Sequence, residues 1–196
     1  MIRLLLLSAF LFAASASAQE LTFGTPLPMA DASYTAADGS TVTLGDAAGP
    51  AGLVVVFWSD TCPWTERYTP RLASLVSTYT PAGIGFVIVN SNAPGDGDAA
   101  ATARETATRG GLAVPYLLDP AGGLAAAFGA RNTPHAFFFD GNLSLRYSGA
   151  IDDSPASPDR VRVPYLAQAM DQSVAAIPIE VQQTQAIGCT IDRAGE

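Results

Sequence analysis

The stretch Val54–Pro70, VVVFWSDTCPWTERYTP, decides the reading of this chain. Three valines followed by Phe57-Trp58 form a short apolar, β-branched run, the pattern of a strand buried on both faces. Ser59-Asp60-Thr61 turns the chain, and Cys62-Pro63 follows at once. Proline suits the first helical position, where its missing N–H costs nothing. Cys62 is therefore expected at or beside the N-cap of a helix reaching about Tyr79, with Pro70 kinking or dividing it. Open backbone N–H groups and the positive end of the helix dipole favour a thiolate at such a place. The competing reading, a small buried hydrophobe, fits most free cysteines but not one set directly after a turn.

Working outward, 196 residues suffice for one domain with a sizeable core, and 48% apolar content fits a globular protein. A net charge of −8 argues against a nucleic-acid or anionic-membrane partner, which requires a basic surface. Residues 1–18 read as a signal peptide: Arg3, an apolar run from Leu4 to Ala14, and an Ala16-Ser17-Ala18 cleavage site. The run is too short to span a bilayer, so no membrane anchor is expected after cleavage, and the exported, periplasmic or secreted, chain meets a disulfide-permissive compartment.

Residues 19–50 read as an N-terminal extension with a β-hairpin, Ala32–Ala36 and Thr41–Leu44 around the turn Asp38-Gly39. Residues 51–177 carry strands at Leu53–Trp58, Ile84–Val89, Val114–Leu118, Ala136–Phe139 and Leu143–Tyr147, with helices at Ala99–Arg109, Gly122–Phe128 and Tyr165–Ala175. Residues 178–196 are an irregular tail holding the second cysteine, Cys189. Such alternation predicts an α/β domain with a mixed central sheet and helices on both faces.

Taken in order, VVVFWSDTCPW (54–64), VIVNSN (87–92), VPYLLD (114–119), GARNTPHAFFFD (129–140), YSGAIDDS (147–154) and IGCTI (187–191) resemble the thioredoxin-like redoxins of the AhpC/TSA, or peroxiredoxin-like, family. That resemblance implies a thioredoxin fold, Cys62 as nucleophile, and a cis Thr133-Pro134 bond packed against it. On residues alone, Pro134 reads as a trans proline opening an edge strand. The departures matter. Thr65 stands where dithiol thioredoxins have their second cysteine, and Val56 where they have a buried acid, which excludes a simple C-x-x-C reductase. Val55 and Ser59 replace the proline and threonine of Pro-x-x-x-Thr-x-x-Cys, and Pro134 falls where peroxiredoxins carry an arginine, leaving Arg131 as a nearby substitute.

The implied activity is thiol-dependent: Cys62 attacks a peroxide or a disulfide, and Cys189 or an external thiol resolves the product. Expected partners are thus a thiol or disulfide reductant protein, or a peroxide. Ser59 and Thr65 are candidate hydrogen-bond donors to the thiolate; Pro63, Trp64, Thr133, Pro134 and His135 are candidates for the substrate groove. Strand alternation could equally turn His135, the sole histidine, away from Cys62. Cys189 is either a resolving thiol or half of a permanent staple, in which case the fold would serve as a peptide- or Cu(I)-binding module. No organic cofactor is implied; Gly95-Asp96-Gly97 lacks the context of a phosphate loop. Glu66, Arg71 and Asp152-Asp153 read as solvated surface, and Trp58 as core.

Overall fold

The computed structural model describes residues 21–92 and 99–192; the expected signal peptide at residues 1–18 and Gly95-Asp96-Gly97 lie outside them. The hairpin comes first, β1 (Ser33–Thr35) and β2 (Thr41–Thr43), followed by a helical turn α1 (Leu44–Ala47). Asp38 builds its turn by accepting from Ser40 N–H at 2.9 Å and Ser40 Oγ at 2.6 Å, with Gly39 supplying a φ of +87°. Then come β3 (Gly52–Phe57), α2 (Pro63–Tyr79), β4 (Ile84–Asn90), α3 (Ala99–Gly110), β5 (Tyr116–Leu118) and α4 (Gly123–Phe128). The chain closes with β6 (Asn132–Thr133), β7 (His135–Asp140), β8 (Leu145–Gly149), α5 (Tyr165–Val174) and β9 (Cys189–Thr190).

The central sheet has the order β5-β4-β3-β7-β8. β4 and β5 are parallel, β7 runs antiparallel to both β3 and β8, and Trp58 N–H donates to Val89 O at 2.9 Å where β3 leaves β4. This mixed sheet between helices is the thioredoxin fold. Every residue of β3 is buried, and alternation divides it between two cores. Val54, Val56, Ala136 and Phe138 pack with Tyr68 and Leu72 of α2 and Leu166 and Met170 of α5. Leu53, Val55, Phe57, Phe137 and Phe139 pack with Leu124 and Phe128 of α4 and with Leu27 and Leu44 of the N-terminal segment. The rings of Phe57, Phe128 and Phe137 meet edge to face at 5.2–5.7 Å, a geometry the aromatic quadrupole favours.

Four readings need correction. α2 runs undivided through Pro70: Glu66, whose carbonyl loses its donor there, is exposed, so solvent can take that acceptor. The third strand starts at Tyr116 rather than Val114, because Pro115 has no N–H for the ladder. The fifth starts at Leu145, because Asp140 accepts from the N–H groups of Asn142 and Ser144 and holds Leu143 in a turn at φ +55°. The tail is not irregular throughout. Ser148 N–H donates to Gln182 O at 2.9 Å and Thr184 N–H to Ser148 O at 3.0 Å, so the tail covers the outer edge of β8 before β9 pairs with β6. Gly149 permits that approach, since a Cβ there would overlap Thr184.

Candidate functional site

Cys62 occupies the N-cap of α2 in extended backbone geometry, φ −85° and ψ 120°, with no side chain capping the helix. Its carbonyl accepts from Thr65 N–H at 3.1 Å and its own N–H donates to Ser59 O at 3.3 Å. The sulfur therefore sits at the positive end of a 17-residue helix. It is joined in a disulfide to Cys189, 127 residues away, with the Cα atoms 6.0 Å apart. Cys62 is only 3% exposed, whereas Cys189 is half-buried.

The β6–β9 pair explains how the tail reaches that point. Thr133 stands opposite Cys189 and Asn132 opposite Thr190, while Asn132 Nδ2 donates to Gly188 O at 3.3 Å and Ile191 N–H to Arg131 O at 2.9 Å. Ile191 is buried in the α4-side core, and Asp192 N–H donates to Asn92 Oδ1 at 3.1 Å. The Thr133-Pro134 bond is cis, and the Thr133 carbonyl lies 3.4 Å from Cys62 Sγ. A thiol at that sulfur would donate to this carbonyl, which opposes ionisation, while the helix terminus favours it.

Neither hydroxyl assigned to the thiolate points at sulfur. Thr65 Oγ1 donates to Ser59 O at 2.5 Å and Cys62 O at 2.6 Å, and Ser59 Oγ pairs with Thr61 Oγ1 at 3.2 Å. At the third helical position the Thr65 side chain folds back onto the turn, so its single proton is committed to carbonyls. Thr65 is thus a clamp on the Cys62 turn. Thr65→Val should lower stability by about 1 kcal/mol, read by urea unfolding, because the Ser59 and Cys62 carbonyls lose their hydroxyl donor and keep only backbone N–H donors.

Asp60 is a second clamp that sequence reading passed over. Its carboxylate accepts from Tyr116 Oη at 2.7 Å and Asn90 Nδ2 at 3.2 Å, tying the turn before Cys62 to β4 and β5. Trp58 is core as expected; Pro63 is exposed, Pro134 buried, and Trp64 half-buried with the Arg67 guanidinium 5.3 Å from its ring centre.

His135 takes the side of the sheet away from α2. It stands opposite Phe57 in the β3–β7 ladder, stacks on Phe137 at 4.3 Å and pairs through Nε2 with Ser148 Oγ at 3.0 Å. Strand alternation is the cause, and the imidazole borders a cavity of about 430 Å³ with Phe128, Arg131 and Gln183. Cys62, Cys189 and His135 accordingly do not form a three-ligand metal set, and among the described residues no such group of His, Cys, Asp and Glu occurs.

Burial pushes the His135 pKa down from 6.5 to about 4. The neutral ring is the folded form above about pH 4, so stability is complete above pH 6.5 and falls as pH drops from 6.5 toward 4, the window in which the unfolded chain takes the proton before the folded one does. His135→Gln should remove on the order of 1–2 kcal/mol of that pH dependence, after allowance for partial exposure. The measurement is unfolding of both proteins at pH 7 and pH 4.5.

The sequence matches the AhpC/TSA family over residues 24–148. The chain belongs to that family. It is 29% identical over 97 residues to the thiol-disulfide oxidoreductase ResA of Halalkalibacterium halodurans, a match covering 50% of this chain and 52% of that one. The chain thus spans about half the length of that curated relative. Two solved structures are similar over nearly the whole chain. A hypothetical protein of Sinorhizobium meliloti 1021 superimposes with a TM-score of 0.82 at 28% identity, covering 91% of this chain and 98% of that one. An uncharacterized conserved protein of Geobacillus kaustophilus gives 0.79 at 29%, covering 89% and 92%. Cys62 lies inside the matched residues and Cys189 beyond them, and their disulfide is consistent with the thiol-dependent redox chemistry of the AhpC/TSA family. Among the described residues no helix is long and apolar enough to cross a membrane.

Proposed function

We propose that this chain is an exported thiol-disulfide oxidoreductase in which Cys62 is the nucleophile and Cys189 the resolving thiol. The observation that carries the reading is the disulfide between a helix N-cap sulfur and a sulfur held by a two-residue strand. In the reduced protein the Cys62 thiolate attacks one sulfur of a partner disulfide, and the partner's other sulfur leaves as thiolate. Cys189 thiolate then attacks the Cys62 sulfur, forming Cys62–Cys189 and releasing the partner's remaining cysteine as thiolate. Two electrons pass to the partner.

Resetting follows from exposure. A reductant dithiol attacks Cys189, the more accessible sulfur, and Cys62 departs as the thiolate that the helix terminus stabilises. The reductant's second thiol then frees Cys189. The Thr65 hydroxyl is already committed to the Ser59 and Cys62 carbonyls, so it is not free to orient a peroxide, which favours disulfide as the substrate. The leader sequence at residues 1–18 supports a compartment in which such a pair cycles.

The test mixes reduced protein with oxidised glutathione or with hydrogen peroxide and follows thiol loss. Rapid two-electron oxidation by the disulfide, with peroxide reacting no faster than with a free cysteine, is expected. Fast peroxide consumption beside an inert disulfide would replace this reading with a peroxidase.

A further inference from the structure

The strand that brings Cys189 to Cys62 is recognised through its main chain. In the bonds to Arg131, Asn132 and Thr133, the tail supplies the carbonyls of Gly188 and Cys189 and the N–H of Ile191. Gly188 is a glycine for a steric reason. Its φ lies outside the left-handed region, but a Cβ on it would overlap the Thr133 carbonyl. While the tail is seated, Cys62 is 3% exposed, so no outside disulfide reaches its sulfur until this edge is vacated.

We infer that the Arg131–Thr133 edge docks an extended segment of the partner protein in which glycine immediately precedes the reacting cysteine, and that residues 188–191 are the internal occupant of that same edge. The inference rests on the thiol-disulfide reading above and adds the shape of the partner. An extended segment supplies the same main-chain groups as the tail, as strand addition to an open edge requires. A residue larger than glycine before the cysteine collides with the Thr133 carbonyl, as alanine would at position 188. Tail and partner exclude one another, so the return of the tail both completes the Cys62–Cys189 bond and expels the reduced partner.

The experiment uses the full chain carrying Cys189→Ser, which leaves Cys62 without its internal partner. Two peptides, Ala-Ile-Gly-Cys-Thr-Ile and Ala-Ile-Ala-Cys-Thr-Ile, each bear a 2-thiopyridyl disulfide on cysteine. Attack of Cys62 on the peptide sulfur releases pyridine-2-thione, read by absorbance, with mass spectrometry identifying the adduct. The glycine peptide should react roughly tenfold faster or more. Equal rates for both peptides, with rapid reaction of the small disulfide 2,2′-dithiodipyridine, would overturn the docking inference and leave the exchange reading intact. No reaction with dithiodipyridine would overturn the exchange reading itself. Within the intact chain, Gly188→Ala should slow closure of the Cys62–Cys189 bond by a similar factor; unchanged closure would also overturn the inference.

Discussion

Cys62→Ser should abolish disulfide exchange, lowering its rate by a factor on the order of 10³ or more, the scale on which enzymes lose a nucleophile. A serine hydroxyl at the same N-cap stays protonated at neutral pH, and no helix dipole of about half a charge can ionise it. Cys189→Ser should behave differently. Its Cys62 still attacks, because the helix end that supports the thiolate is untouched, but the mixed disulfide has no internal thiol to displace it. The protein should accumulate as a one-to-one adduct with its substrate, visible by mass spectrometry, and turn over only when excess thiol is added. Loss of the first step in Cys189→Ser, with the adduct still forming in Cys62→Ser, would mean that Cys189, not Cys62, makes the initial attack.

Asp152→Ala should have the largest effect on stability, about 3–5 kcal/mol, measured by urea unfolding. The Asp152 carboxylate is 5% exposed; it accepts from Tyr68 Oη at 2.9 Å and is paired with Arg71 at 2.7 Å, whose side chain is 14% exposed. Burial and the neighbouring carboxylate push the Tyr68 phenol well up, so it remains a donor. Removing the acceptor strands a buried hydroxyl and leaves the Arg71 cation without its counter-ion, held by the carbonyls of Arg67, Ser154 and Pro155. Asp152→Asn should cost less, because an amide oxygen still accepts from Tyr68. Since Tyr68 and Arg71 lie on α2, the same network fixes the helix that carries Cys62.

The legible part of the molecule was the part written in period and punctuation. An unbroken run such as Val54–Trp58 admits few readings, and Cys-Pro after a turn marks a helix start. Arg71, Asp152 and Asp153 show where that reasoning stops. A charged residue on a helix face or in a loop reads as solvated, and only the packing of α2 against the segment after β8 reveals that Asp152 is buried while Asp153 is exposed. The tail was illegible for another reason: Gln182–Thr184 is short and polar, and its ladder exists because β8 has an open edge. His135 was legible as an alternative, since alternation alone separates the two faces of β7. The Thr65 hydroxyl turned out to bond carbonyls because proximity to sulfur in sequence does not fix where one hydroxyl proton goes.

A working Cys62–Cys189 pair must open and close. Its reduction potential tests this most directly, by equilibrating the protein in glutathione and dithiothreitol buffers and counting alkylated thiols by mass. A midpoint above about −300 mV, with both cysteines gaining the alkyl group together, is the predicted result. A midpoint below about −300 mV, leaving the pair oxidised at every poise a reductant partner supplies, would make the bond a permanent staple and contradict the account.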